Sequence, residues 1–325
     1  MYILDMHTDI FAHTSRYRSN GERNNIAKHH LAFLKQGGVG GLIMVLWISP
    51  EFTNDPVRRF KELLPLSLAE IGEAKDDITF VRSMSEADHA RKEGRIFAFM
   101  GVEGASGFEN GLETVQYVYD QGIRHIGLSW NEENQFATGV GSPNYNRGLT
   151  RLGRDVVSLM DELGMVIDLS HLNEKSIWEV LELSSNPLIA THSNCRSLCP
   201  AERNLTDQQI RAIAEKGGVI GMNAWGSFVR AEKPNVYHFV EHFDRVVNLA
   251  GIESLALGFD FCHYFKHDKL TPEPERHIAE IEGLLDWRDI PSLFEILKRR
   301  GYSDDALEKI AHKNAERVLR DILKG

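Results

Sequence analysis

Eight short apolar runs, each closed by glycine, proline or polar residues and separated by longer amphipathic stretches, constrain this chain more than any other feature. They are Tyr2–Met6, Gly41–Ile48, Arg95–Val102, Ile123–Ser129, Met165–Leu169, Leu188–Thr191, Val219–Asn223 and Ser254–Gly258. Continuous apolarity over so few residues marks strands buried on both faces, as in a parallel sheet covered by helices. Between the runs, Arg151–Leu163 and Lys175–Leu183 carry apolar residues three and four apart, the helical spacing. Thr206-Asp-Gln-Gln209 opens a further helix as a capping box, and Lys216-Gly217-Gly218 closes it just before the next strand. Ile290–Arg299 and Asp304–Leu323 are helical patterns beyond the eighth run.

Strands alternating with helices specify an α/β fold with a parallel sheet, and eight is the number that closes a TIM-like (β/α)8 barrel. An open doubly wound sheet is the competitor, but it lacks a phosphate-binding GxGxxG between strand and helix. Gly37-Gly38-Val39-Gly40-Gly41 runs into a strand and is therefore a turn. The 325 residues alone suggest about two domains, yet barrels of this length are often single. The expectation is one domain over 1–325, with the barrel over about 1–265 and C-terminal helices over about 275–325.

In such a barrel, polar groups at the C-terminal ends of strands face the active-site mouth. The first run ends in Asp5-Met6-His7-Thr8-Asp9, where an extended chain would project His7 and Asp9 from one face. The third ends in Glu103 between glycines, the fifth in Asp168-Leu169-Ser170-His171 and the sixth in Thr191-His192-Ser193-Asn194. Singly, each reads as well as a capped turn or a satisfied rim histidine. Four strand ends carrying two kinds of metal ligand read differently, and the chain holds 14 histidines against three cysteines. Nitrogen and oxygen donors without thiolate suit zinc or a similar divalent ion. Five donors exceed the needs of one tetrahedral zinc, so the expected cofactor is two divalent metal ions, zinc by preference, sharing Glu103. Asp260, at the end of the eighth run, stands across the mouth as the acceptor of a water proton; its blander reading is a turn residue or helix cap.

His238-Phe239-Val240-Glu241-His242 matches an HxxEH zinc motif. It falls where the barrel needs an outer helix, with Phe239, Val240 and Phe243 buried and the histidines toward the polar side. His263 and His267 follow Asp260 and are candidates to line the mouth, whereas the adjacent His29 and His30 cannot face one ligand together on a helix. Cys195 and Cys199 lack the partners of a zinc knuckle. The 47 acidic against 37 basic residues, net −10, with no basic cluster, exclude a nucleic-acid footprint. The longest apolar stretch, Val39 to Ile48, is far short of a bilayer span. MYILDMHTDI has no basic leader and Asp5 interrupts it, so a cytoplasmic protein without a membrane partner is expected.

Together, DMHTD (5–9), GVEG (101–104), IGLSWNEENQFATG (126–139), DLSH (168–171) and the long segment from Thr191 to Asn223 resemble the membrane (renal) dipeptidase family, the M19 peptidases of the amidohydrolase superfamily. The resemblance implies a two-zinc dipeptidase on a TIM-like barrel, commonly a homodimer. It places His7 and Asp9 on one zinc, His171 and His192 on the other, and Glu103 between them. Asp260 corresponds to the acid/base residue and Arg203 to the side chain that holds the substrate carboxylate. Trp130 stands where the family carries an active-site histidine, and Ala224-Trp225 where a Phe-Tyr pair is more usual. The family's DFDG turn reads Asp260-Phe261-Cys262-His263.

The implied reaction is hydrolysis of a dipeptide or related N-acyl amino acid by a metal-bridging hydroxide. Asp260 would carry the proton to the leaving amine, Arg203 would clamp the terminal carboxylate, and Trp130 and Trp225 would form apolar walls. The alternatives are hydrolysis of a lactone, a cyclic amide or an acyl-D-amino acid, and a catalytically silent barrel used as a binding module.

Overall fold

A computed structural model describes residues 1–324. Nine strands form one parallel sheet: β1 (Ile3–Thr8), β2 (Val39–Trp47), β3 (Ile78–Phe80), β4 (Ile96–Glu103), β5 (His125–Gly127), β6 (Val166–Asp168), β7 (Ile189–Ala190), β8 (Val219–Met222) and β9 (Leu255–Leu257). Pairing of β1 with both β2 and β9, and of β2 with β4, closes eight of them into a barrel. The expected TIM-like fold is the one observed. β3 is the strand the apolar pattern did not reveal: three residues are too few to show a period. It pairs with the start of β4, along the edge that β4 later gives to β5.

Each long strand divides its apolar residues by parity. Leu4 and Met6, Ile43 and Val45, and Phe97 and Phe99 point into the barrel, joined by Val166, Ile189, Val219 and Ala256. Ile3, Leu42, Met44, Leu46, Ala98, Met100 and Val102 pack outward under the helices. The inward set continues into the helices Met84–Lys92 and Asn314–Ile322, so the C-terminal helix covers the end of the barrel opposite the strands' C-termini. Tyr2 seals that end, bonded to Glu316 and stacked on His312. The helices Arg151–Leu163 and Ile290–Arg299 span the residues their periodicity predicts, and the Thr206 capping box makes both of its hydrogen bonds. Lys309–Lys313 is a π-helical segment within the final helical run. Among the described residues, no helix is long and apolar enough to cross a membrane.

One irregularity positions the mouth. Between the pairs Asp5↔Leu42 and Thr8↔Met44, β1 advances three residues while β2 advances two. The extra residue is a bulge, which turns side chains that strict alternation would send outward. His7 shares its parity with the outward Ile3, yet it faces the barrel interior, its ring stacked on His192. Asp9 is already the residue before the helix Ile10–Ser19, with φ −92° and ψ 26°. The extended His7–Asp9 pair expected from spacing is thus replaced by a bulge followed by a helix start.

Candidate active site

The mouth brings His7, Asp9, Glu103, His171, His192 and Asp260 together, all but Asp260 buried. Glu103 is central. It follows Phe97, Phe99 and Gly101 on the inward face of β4, and Gly104 after it turns with φ +80°, where a Cβ would press on Trp130. Glu103 Oε1 lies 2.8 Å from His171 Nε2, 3.3 Å from His192 Nε2 and 3.6 Å from His7 Nε2. His7 Nε2 is also 3.6 Å from Asp9 Oδ2 and 4.0 Å from Asp260 Oδ1. Asp260 therefore sits beside His7 and Asp9 rather than at a distance across the mouth. Both His171 (φ +70°) and Asp260 (φ +57°) occupy the left-handed region, where non-glycine residues are costly and cluster at functional sites.

The ring nitrogens away from the centre are engaged, which fixes how the inner ones present themselves. His171 Nδ1 donates to Asn131 Oδ1 at 2.9 Å, since an amide oxygen only accepts. The Thr191 hydroxyl donates to the Asp168 carboxylate and so accepts from His192 Nδ1 at 2.7 Å. Burial, reinforced by Arg203 and His7, holds both imidazoles well below their usual range, hence neutral. Each Nε2 is then a bare lone pair, and the two face each other at 3.0 Å beside a carboxylate. A cation between these two nitrogens and Glu103 would engage all three donors at once.

His7 supplies a second sign. Neither of its ring nitrogens, nor Asp9 Oδ1, has a hydrogen-bond partner although all are buried. Burial alone would depress the His7 imidazole, but Glu103, Asp9 and Asp260 outweigh it and raise it to about 10. Burial pushes Glu103 well above the carboxylate range, and burial with the nearby Asp9 raises Asp260 to about 7. Four overlapping donor groups within metal-spanning reach result among the described residues: Glu103–His171–His192, His7–Asp9–Glu103, His7–Asp168–His192 and Asp9–Asp260–Cys262. Imidazole and carboxylate donors left unpaired by the protein fit divalent ions.

A cavity of about 200 Å³ opens onto this cluster. Trp130 and Trp225 line it, with Trp47, Phe228, Phe265 and Ile278 completing an apolar wall. Trp47 lies two residues beyond the inward Val45, so alternation along β2 was the signal that could have found it. Arg203 is buried next to His192 and Ser193 and does not itself line the cavity. Its Nη1 donates to Ser193 Oγ and its Nη2 to the His192 carbonyl, each at 2.9 Å, leaving Nε buried without a partner. Asn223 Nδ2 donates to Asp260 Oδ2 at 3.2 Å.

Asp168 was visible at the end of its strand but carried no assigned role. Its carboxylate accepts from the Ser170 and Thr191 amides at 2.9 Å and from His125 Nε2 at 3.1 Å, tying the start of β5 to the ends of β6 and β7. The HxxEH motif holds no site. Contrary to the expectation of a polar-side position, His242 is buried, accepting from the Cys195 amide and donating to the Val229 carbonyl, both at 3.0 Å. His263 turns to Glu280 at 2.7 Å.

Residues 1–324 match the sequence model of the membrane dipeptidases, peptidase family M19. A Klebsiella pneumoniae protein described as uncharacterized and encoded in the pqqA 5′ region is 34% identical over 279 residues, 83% of this chain and 98% of that protein. An uncharacterized dipeptidase of Schizosaccharomyces pombe is 27% identical over 91% of this chain and 73% of its own length. Among solved structures, a Rhodobacter sphaeroides metallopeptidase bound to a phosphinate mimic of L-Ala-D-Ala superimposes with a TM-score of 0.86 at 25% identity, over 99% of both chains.

Proposed function

This chain belongs to the membrane dipeptidase family, peptidase family M19, and on that premise we propose that it hydrolyses dipeptides at a centre built for two divalent ions, zinc by preference. The carrying observation is the convergence of His7, Asp9, Glu103, His171 and His192, with two bare imidazole nitrogens facing each other at 3.0 Å. His171 and His192 would hold one ion, His7 and Asp9 the other, and Glu103 both. Bound there, the ions supply Lewis acidity toward a carbonyl oxygen and lower the pKa of water to about 7.

The remaining work falls to the chain's own groups. Asp260, held by Asn223 beside His7 and Asp9, is placed to take a proton and return it to the departing amine. Arg203, fixed by Ser193 and the His192 carbonyl, has donors left for the substrate's terminal carboxylate, favouring substrates that end close to the scissile bond. Trp47, Trp130 and Trp225 exclude water and give apolar surface to a side chain. The phosphinate bound by the Rhodobacter sphaeroides relative mimics L-Ala-D-Ala, which supports including dipeptides of mixed stereochemistry.

The deciding experiment assays metal-loaded protein against L,L- and L,D-dipeptides alongside lactones, cyclic amides and N-acyl-D-amino acids. Dipeptide turnover that falls by about 10²-fold or more in Asp260→Asn, with metal content intact, supports the reading. Turnover of another class alone, or of none, overturns it.

A further inference from the structure

One carboxylate lining the cavity belongs to none of the donor groups at the metal centre. It is Glu275, in the turn Glu273–Arg276 beyond the last barrel strand, with its side chain only 10% exposed. Its Oε2 accepts from Arg16 Nη2 at 2.6 Å, whereas its Oε1 is buried without a partner. Arg16 also serves Glu51 at 3.4 Å, so one guanidinium answers two carboxylates. Arg59 nearby is turned to Ser15 and Glu62. The basic groups of the same segment are engaged elsewhere, His263 and Lys266 with Glu280 and Arg276 with Glu273. Among the described residues, no lysine or arginine lines the cavity. Burial and the adjacent Glu51 raise Glu275 to about 7, as befits a carboxylate short of positive charge.

We infer that Glu275 is a specificity residue, receiving the ammonium or guanidinium of a basic side chain on the N-terminal residue of the dipeptide. The inference rests on the dipeptidase reading and names a substrate class within it. A dipeptide's own α-amine is one carbon from the scissile carbonyl, about 2.5 Å from its carbon, and so stays at the metal centre. A lysine or arginine side chain leads away from that centre. Its methylenes can lie along Trp225 and Phe265 while its charged end meets the unpartnered Glu275 oxygen. The barrel order gives the direction. Arg16, which holds Glu275, is on the helix after β1, next to β9, whereas Arg203 lies with His192 beyond β7. A substrate whose terminal carboxylate points to Arg203 therefore turns its N-terminal residue toward Glu275.

The test assays the metal-loaded full chain with Lys-Ala and norleucyl-Ala, which share the α-amine and differ in side-chain charge. The unaltered protein should favour Lys-Ala in kcat/KM by about 10-fold or more, the scale of a hydrogen bond to a charged group. Glu275→Gln should remove most of that ratio, chiefly through KM. Equal turnover of the two substrates by the unaltered protein overturns the inference and leaves the dipeptidase reading standing. A ratio that survives in folded Glu275→Gln overturns it as well, as does an equal loss on both substrates, which would mean that Glu275 reads the α-amine. No turnover of any dipeptide overturns both readings. Should Glu275→Gln fail to fold, the ratio measured on the unaltered protein decides.

Discussion

His171 Nε2 and His192 Nε2 face each other at 3.0 Å, each with its other ring nitrogen already committed, to Asn131 and to Thr191 respectively. Two neutral imidazole nitrogens in that relation, with Glu103 against both, converge on a position that a bound cation would share. Chelation should therefore destabilise the protein. An ion present at 100 times its Kd adds about 2.7 kcal/mol to folding stability. Scanning calorimetry should show the chelated protein melting several degrees below the loaded one; identical transitions would rule out a resident ion.

The orientation of those imidazoles depends on their outer partners. Asn131→Leu removes the acceptor for His171 Nδ1, and Thr191→Val removes that for His192 Nδ1. Each should weaken metal binding by about 10- to 100-fold, the usual cost of losing such a partner. Competition against a chromophoric chelator gives the affinities, and values within threefold of wild type would show that packing alone orients the rings.

Asp168 joins the start of β5 to the ends of β6 and β7 through a buried carboxylate, held well below its ordinary range by His125 and Thr191 against the opposing push of burial. Asp168→Ala strips partners from two backbone amides, a hydroxyl and an imidazole. A loss of about 3–5 kcal/mol is expected, read from urea denaturation; a loss under 1 kcal/mol would mean the network contributes little.

Beside the mouth, His13 Nδ1 and His30 Nε2 share a hydrogen bond of 3.0 Å. Burial lowers His13 to about 4 and holds His30 well below its usual value, although Asp268 pulls His13 the other way. The unfolded chain, titrating near 6.5, binds more protons than the folded one below that pH. This contribution is complete above pH 6.5 and is lost as pH falls toward 4. Denaturation midpoints of chelated protein should drop over that window, with a shallower slope in His13→Gln. An unchanged slope in the variant would assign the acid sensitivity elsewhere.

Trp225, with Trp130 and Trp47, walls the cavity. Trp225→Ala should raise KM for dipeptides with aromatic side chains more than for Ala-Ala, with kcat less affected, because the ring contacts substrate equally before and during reaction. Equal effects on both substrates would place the side-chain pocket elsewhere.

Glu103 shows what could be read from residue order. Phe97, Phe99, Gly101 and Glu103 share one parity, so an apolar strand entering the barrel's interior must end with its carboxylate in the mouth. The same logic covers Trp47 after Val45, and helical periodicity placed Arg151–Leu163 and Ile290–Arg299. Both signals are local, carried by covalent geometry with periods of two and 3.6. The inward turn of His7 is not local. It needs an extra residue in β1 relative to β2, and a bulge exists only once two strands distant in sequence have paired. Likewise, HxxEH spacing could not disclose that His242 is buried between Cys195 and Val229, partners brought to it by packing. Nor could spacing bring Cys262 beside Asp9 and Asp260, since closing the barrel is what sets its last strand against its first. Sequence alone determined the barrel, its alternation and the donor types at its strand ends. Which donors meet, and which remain unpaired at their meeting point, was decided by the tertiary structure, because those relations depend on contacts between segments up to some 250 residues apart in the chain.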